Sequence, residues 1–291
     1  MLFLLKKQKK EEERMKKVLF ILVFVAGLFI FAACGSTEQF DIESETEFVV
    51  GLEAAYAPFN WSTPTQNDFT VPLAGQPGVY VDGYDVVMAS RIADELGLDL
   101  VIKMVDWDGL IPALLSGEID MIIAGMSPTA ERAQTVSFSD EYFRSEQVMV
   151  VSSTGTYANA TSLNDFSGAR VVAQLGTLQD QLISQITGAT RLEPLDTYGM
   201  LATAVSTNAA DAFIAELPVA QGMVAANNQL SIIRFAEGNG FTVSDEDVIV
   251  SVALRQEDVD LLEAVNAALA TVSFETRTQV MTQALDRQPN A

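Results

Sequence analysis

The chain has 291 residues, with 17 basic and 39 acidic side chains, a formal net charge of −22, one cysteine and no histidine. The missing histidine excludes Ser-His-Asp and Cys-His catalysis and the commonest zinc ligand, and a single cysteine excludes an intramolecular disulfide. Seven of the basic and three of the acidic residues precede Cys34, so the remainder carries 10 against 36, a net of −26 that disfavours nucleic acid and anionic membrane surfaces.

The first 33 residues have the character of an export signal. Met1 to Arg14, MLFLLKKQKKEEER, is of mixed charge and stands ahead of a better start at Met15-Lys16-Lys17, which we read as the true initiation site. Val18 to Phe31 is an apolar run of 14 residues, too short to span a bilayer comfortably but suited to a signal h-region. Ala32-Ala33-Cys34 follows and looks like a lipobox, in which cleavage precedes Cys34 and its thiol takes diacylglycerol; Phe31 departs from the leucine usual three residues before the cysteine. An uncleaved anchor helix is the alternative, and it too places the rest of the chain outside the membrane.

Residues 34–47, beginning CGSTEQF, are polar and acidic and are expected to form a flexible tether. No later segment is apolar over about 18 residues, so nothing after Cys34 is expected to span a membrane. Lys103 is the only lysine after the signal; the acidic surface fits either a salt adaptation or an ordinary solvated exterior.

The 258 residues from Cys34 on are enough for two α/β lobes. Phe48 to Gly51 reads as a strand, with Glu53, Tyr56, Pro58 and Phe59 in the loop at its carboxyl end, the edge at which open α/β sheets bind ligands. Residues 60–82 are rich in Pro, Gly and Thr. Tyr84 to Leu96 carries an apolar helical face ended by Gly97. Leu98 to Met104 is a strand and Trp107 to Leu115 a helix.

Ile119 to Ala124 then reads as a buried strand, and Ser127-Pro128-Thr129 as a helix start, with Ser127 as N-cap and Pro128 in the first turn. Backbone N–H groups, two hydroxyls and the Arg132 guanidinium would converge there into a carboxylate site. From local physics alone, Ser-Pro-Thr can equally be a simple cap with Arg132 in solvent.

After Gln147 to Val151, short strands and helices alternate: strands at 169–173, 191–195, 211–215 and 231–235, helices at 177–186, 198–206 and 217–227. This alternation predicts βαβ units. A Gly- and Asp-rich passage, 237–247, precedes a strand at 248–254 and helices at 259–269 and 274–285.

Segments 109–142 (GLIPALLSGEIDMIIAGMSPTAERAQTVSFSDEY), 53–61 (EAAYAPFNW), 83–98, 171–177 (VVAQLGT) and 211–218 (DAFIAELP) resemble the polar amino-acid-binding proteins of ABC importers, the bacterial extracellular solute-binding family 3. The resemblance implies an α/β, two-lobe periplasmic-binding-protein fold of type II, with the ligand in the cleft and no cofactor or metal. Residues 48–143 and 248–291 would form the first lobe and 144–247 the second, with hinge crossings near Glu141–Glu146 and Phe241–Asp247 and closure on the ligand. Residues 60–82 are longer than this region usually is in the family and are expected to form an inserted surface loop.

The resemblance also assigns positions. Arg132 would pair bidentately with a ligand α-carboxylate, with Ser127 and the Gly125 backbone beside it and Thr177 adding donors from the second lobe. Glu216 would meet the α-ammonium, although most relatives carry Asp there; it can instead be an N-cap neighbour of the following helix. Tyr56 and Tyr84 would sandwich the ligand side chain, and Glu53 would read its distal end.

The implied function is a lipid-anchored, monomeric, extracytoplasmic binding protein. It captures a polar L-amino acid, basic before glutamine, for the permease subunits of an ABC importer, and it binds no nucleic acid. The alternatives are an enzyme on the same fold, of the prephenate or arogenate dehydratase kind, and a ligand-sensing surface lipoprotein.

Overall fold

The computed structural model describes residues 39–289. The signal peptide, the initiation site at Met15, lipidation at Cys34 and the first residues of the tether lie outside them. Two five-stranded sheets form the body. The first contains β1 (Glu47–Leu52), β6 (Asp99–Met104), β7 (Met121–Ile122), β8 (Ser137–Arg144) and β14 (Ile249–Leu254), in the order β6-β1-β7-β14-β8. The second contains β9 (Gln147–Ser152), β10 (Arg170–Val172), β11 (Thr190–Arg191), β12 (Ala212–Glu216) and β13 (Leu230–Ile233), in the order β11-β10-β12-β9-β13.

The two sheets share one pattern. β1 is parallel to β6 and β7, and β10 is parallel to β11 and β12. In each sheet one strand runs against all the others: β14 in the first and β9 in the second, each flanked by antiparallel neighbours. These are the strands that follow the two passages between sheets. β8 leads through Ser145-Glu146 directly into β9, and Ser145 N–H donates to Val248 C=O at 2.8 Å, so the two passages run side by side. Two adjacent passages between otherwise separate sheets form the usual geometry of a hinge.

Helices cover the sheets because their apolar faces are spaced for it. Helix Tyr84–Leu96 buries Val86, Met88, Ala89, Ile92 and Ala93 and ends at Gly97, whose φ of 71° is open to glycine at little steric cost. Helix Val259–Ala270 packs on the first sheet, Tyr198–Ser206 and Leu217–Ala226 on the second, and Phe274–Arg287 against helices Tyr84–Leu96 and Leu217–Ala226.

Three expectations are corrected. Residues 60–82 are no loose loop: β3 (Asn60–Thr63), β4 (Val71–Pro72) and β5 (Tyr80–Asp82) join β2 (Ala55–Tyr56) in a four-stranded antiparallel sheet. Buried Leu73 bridges it to Ile102 of β6, and that apolar anchor explains why a Pro- and Gly-rich segment folds. The tether stops short of 47: Phe40 is 7% exposed, packs edge-on against Phe48 at 5.8 Å between ring centroids, and donates its N–H to Asp258 Oδ1 at 2.8 Å. Finally, no α-helix starts at Ser127; the chain makes only a 3₁₀ turn over Arg132–Gln134. There the Arg132 guanidinium turns back to donate to Ser127 C=O at 2.8 Å, closing a local ring in place of a helical turn.

Candidate functional site

The carboxyl ends of both parallel trios face one cleft. It is lined by Glu53, Tyr56, Trp107, Gly125, Ser127 and Arg132 from the first sheet's loops and by Gln174, Thr177, Leu178, Gln179, Tyr198 and Glu216 from the second's. Of the eight residues expected from the sequence, seven meet there. The eighth, Tyr84, does not: it is fully buried at the start of its helix, donates its hydroxyl to Tyr142 C=O at 2.6 Å and stacks on the Tyr142 ring. An aromatic after Gly83 fits a loop wall or a core wedge equally well, and here the apolar surroundings of Phe59, Tyr142 and Phe143 take it.

Glu53 directly follows β1 and is 6% exposed. Its Oε1 accepts from Gln174 Nε2 at 2.9 Å, a contact that crosses the cleft. Burial outweighs that hydrogen bond, and the negative charge of Asp106 adds to it, so the Glu53 carboxyl is pushed up to about 7. Glu216, at the end of β12 and 3% exposed, accepts from Gln179 Nε2 at 2.7 Å and from the Tyr56 hydroxyl, a second contact across the cleft. Its acidity is also weakened by burial. Two buried acids therefore stand in one cleft, each held by neutral partners.

Arg132 is the cation beside them. It donates to Ser127 C=O and, at 3.2 Å, to Gly176 C=O of the second lobe, and it lies 5.0 Å over the Trp107 ring. Burial lowers its basicity, and Glu216 is the first of the acids that oppose the effect. Thr177 caps helix Leu178–Leu182, accepting from Asp180 N–H at 3.2 Å and donating to Gln174 C=O at 2.8 Å. Gly125, at φ 62°, lies under Tyr56: a Cβ there would come within 2.7 Å of the ring. Its N–H donates to the Tyr142 hydroxyl at 3.0 Å. The Ser127 hydroxyl points to Asp247 C=O, at 3.5 Å.

Trp107, Gln174, Gln179 and Tyr198 are not among the residues expected from the sequence. Trp107 and Tyr198 replace Tyr84 as walls beside Tyr56, Tyr198 with its ring 4.9 Å from that of Tyr56. The Tyr198 hydroxyl is buried and has no hydrogen-bond partner of good geometry among the described residues. Two of the four carry a signal: Gln174 sits in VVAQLGT, and Tyr198 directly follows the N-cap Thr197, at the carboxyl edge of a sheet. With Gln174 and Tyr56 reaching across it, the cleft holds a cavity of about 10 Å³, roughly one water's worth of space.

A larger cavity, about 840 Å³, lies against the hinge strands and is lined by Phe235, Phe241, Phe274 and Met281 among others. Its arginines are already engaged, Arg144 by the Glu141 carboxylate and Arg277 by the carbonyls of Val272, Glu141 and Leu269. Volume without converging free polar groups does not make an amino-acid site.

Two lobes joined by paired hinge strands, with two buried acids and a half-buried arginine in the cleft between them, define a solute-binding protein of the two-lobe type. The chain belongs to the bacterial extracellular solute-binding proteins, family 3, whose pattern matches residues 48–283. The arginine-binding extracellular protein ArtP of Bacillus subtilis is 29% identical over 260 residues, covering 88% of this chain and 92% of that one. A probable histidine-binding protein of Campylobacter jejuni is 30% identical over 267 residues, 88% and 93% of the two chains. Among solved structures, the amino acid ABC transporter substrate-binding protein AbpA of Streptococcus pneumoniae bound to L-arginine superposes with a TM-score of 0.71 at 27% identity, over 84% of this chain and 97% of that one. A mutant of ArgBP from T. maritima gives 0.68 at 31%, over 85% and 98%. These are transport proteins of extracellular type, and among the described residues no helix is long and apolar enough to cross a membrane.

Proposed function

We propose that this protein captures a basic L-amino acid, arginine before lysine or histidine, and presents it to the permease of an ABC importer. The observation that carries the reading is the pair of buried acids, Glu53 and Glu216, in one cleft with the half-buried Arg132. Arg132 meets the α-carboxylate, Glu216 the α-ammonium and Glu53 the cationic end of the side chain, whose flat face lies between Tyr56, Trp107 and Tyr198. Each buried acid then gains a charged partner in place of a neutral amide or hydroxyl, which offsets its desolvation. Opening at the hinge exchanges the contacts Tyr56–Glu216 and Gln174–Glu53 for ligand contacts, and closure restores the enclosure.

Glutamine is the second reading. The Glu53 carboxyl, pushed up to about 7, is partly protonated near neutrality and can pair with a neutral amide. The names of arginine- and histidine-binding relatives favour the basic ligand. No chemistry is required of the site. Before it reaches the body, the chain carries the apolar run Val18–Phe31 and the junction Ala32-Ala33-Cys34, which support a lipid anchor on Cys34, with the protein acting as a monomer on the outer face of the membrane.

A thermal-shift screen against the common amino acids tests the reading, since a ligand at 100 times its Kd adds about 2.7 kcal/mol. Arginine should give the largest shift. Stabilisation by none of the basic amino acids or glutamine, or turnover of prephenate or arogenate by the purified protein, would defeat it.

A further inference from the structure

Behind the cleft lies a buried polar chain whose own side chains are not part of the cleft's lining. Asp85, in the first turn of helix Tyr84–Leu96, is fully buried, as are Asn60 and Tyr142. Asp85 Oδ2 accepts from Asn60 Nδ2 at 2.8 Å, and its Oδ1 accepts from the Tyr142 hydroxyl at 2.7 Å. The chain then forks outward at both ends. Asn60 Oδ1 accepts the N–H of Ala54 at 2.8 Å, and the Tyr142 oxygen accepts the N–H of Gly125 at 3.0 Å.

The two donating residues have something in common. Ala54, at φ 54°, and Gly125, at φ 62°, both occupy the left-handed region, and each sits where a first-lobe loop turns into the cleft. Ala54 directly follows Glu53; Gly125 lies under Tyr56 and leads to Ser127 and Arg132. For alanine that conformation is strained and persists only when its surroundings impose it. The N–H of each is held by the same carboxylate through one intervening side chain.

Local geometry sets this carboxylate in place. Gly83, at φ 140°, lets the helix start so close to the preceding loop that a Cβ would meet Phe59 O at 2.1 Å. The backbone N–H groups of Tyr84 and Asp85 donate to the carbonyls of Pro58 and Phe59 at 3.0 and 2.8 Å, and the helix N-terminus suits a negative side chain. Tyr142 belongs to β8, the strand that runs into the hinge.

We propose that Asp85 is a positioning residue that fixes the spacing between the two first-lobe subsites, the one around Glu53 and the one around Arg132, and thereby the length of ligand the cleft accepts. The inference rests on the reading of the cleft as a basic amino-acid site, but its mechanism is a property of the backbone alone. The donors are ordered: Asn60 Nδ2 and the Tyr142 hydroxyl point at Asp85, and one backbone N–H points at each of Asn60 and Tyr142. Asp85→Asn breaks that order, because its amide must face the Asn60 amide or leave the Tyr142 hydroxyl proton without an acceptor. Asn60→Asp alone sets two carboxyls against each other. The exchange of both, Asn60→Asp with Asp85→Asn, restores every donor to an acceptor.

The two single variants and the double exchange form a cycle, read by calorimetry with L-arginine, L-lysine and L-ornithine and by residue-resolved amide exchange. Each single variant should lower arginine affinity at least about fivefold, change the arginine-to-ornithine ratio, and speed exchange of the Ala54 and Gly125 amides beyond that of the sheet. The double exchange should recover both ratio and protection. An Asp85→Asn protein that keeps the wild-type ratio and the slow Ala54 and Gly125 exchange overturns the proposal. If the wild type binds none of the three amino acids, the ligand reading falls while the exchange cycle still decides the positioning role. If Asp85→Asn does not fold, failure of the double exchange to fold would likewise overturn it.

Discussion

The side-chain amide of Gln174, in the second lobe, donates to the Glu53 carboxyl of the first at 2.9 Å and to Asp196 C=O at 2.8 Å. One amide thus ties the first lobe's buried acid to the second lobe's backbone, and the tie exists only when the cleft is closed. Gln174→Ala should therefore loosen closure of the ligand-free protein, while arginine affinity holds or rises, because the ligand takes the place of this contact at Glu53. Small-angle scattering without ligand should find a larger radius of gyration for the variant than for the wild type. Identical ligand-free radii would mean the contact follows closure without stabilising it.

Arg132→Ala should cost about 2–5 kcal/mol of binding, because the ligand carboxylate would be enclosed without a charged partner. Stability should fall little, since in the folded protein Arg132 holds only the Ser127 and Gly176 carbonyls and the Trp107 face at the cleft edge. Arg132→Lys should recover part of the affinity, since it keeps the charge but not the planar fork. Calorimetry showing less than a fivefold loss for the alanine variant would return Arg132 to the simple capping role its local sequence also allows.

Much of the fold was legible because it is written locally. Helix Tyr84–Leu96 follows from an apolar face and Gly97, and helix Tyr198–Ser206 from a Thr197 cap ahead of an apolar stretch. What the sequence hid depends on distant partners. Ser127-Pro128 has the chemistry of a helix start, but Arg132 reaches back across it to a carbonyl. Tyr84 and Tyr198 are both aromatics at helix starts. One faces Tyr142 and the other Tyr56, and only the packing of separate segments decides which of them lines the cleft. Phe40 reads as tether because its partners, Phe48 and Asp258, stand 8 and 218 residues away.

Phe40 gives a prediction of its own. Phe40→Ala removes a ring packed on Phe48 and loosens the entry segment, and should cost about 2–3 kcal/mol of stability, below the range for a central phenylalanine. Arginine affinity should stay within about twofold, since additive, separated sites do not couple. Urea denaturation and calorimetry on the same preparations check both. An unchanged midpoint would mean the segment lies on the surface without contributing.

The pH profile of binding follows from burial at Glu53. Its carboxyl titrates near 7 in the closed protein and near 4.5 when unfolded, so it contributes stability that is full below about 4.5 and is lost as pH rises through 7. A cationic side chain favours the ionised form, so binding releases a proton whenever the free carboxyl is protonated. Arginine affinity should rise between about pH 5.5 and about 7.5, by no more than tenfold per pH unit for a single group, and level off above. Calorimetry in two buffers of different ionisation heat should detect the released proton at about pH 6; its absence, with a flat profile, would remove Glu53 from the ligand's charged end.

The specificity of the cleft rests on the same carboxyl and can be tested separately from its titration. Glu216 answers the α-ammonium, so Glu53 either meets a second positive charge or remains a neutral acid held by Gln174. Tyr198 adds a buried hydroxyl in the same pocket, able to accept a ligand N–H. Glu53→Gln keeps size and hydrogen-bonding reach but removes the charge. Its arginine and lysine affinities should fall by about 2 kcal/mol or more, glutamine affinity should hold or rise, and the pH dependence should shrink to what Glu216 contributes at the α-ammonium. Tyr198→Phe should cost about 1 kcal/mol for arginine without touching the pH profile, since it deletes a hydroxyl and not a charge. Competition calorimetry across arginine, lysine, glutamine and histidine separates the two variants. If Glu53→Gln binds arginine as the wild type does, the second charge is read elsewhere and Glu53 serves closure alone.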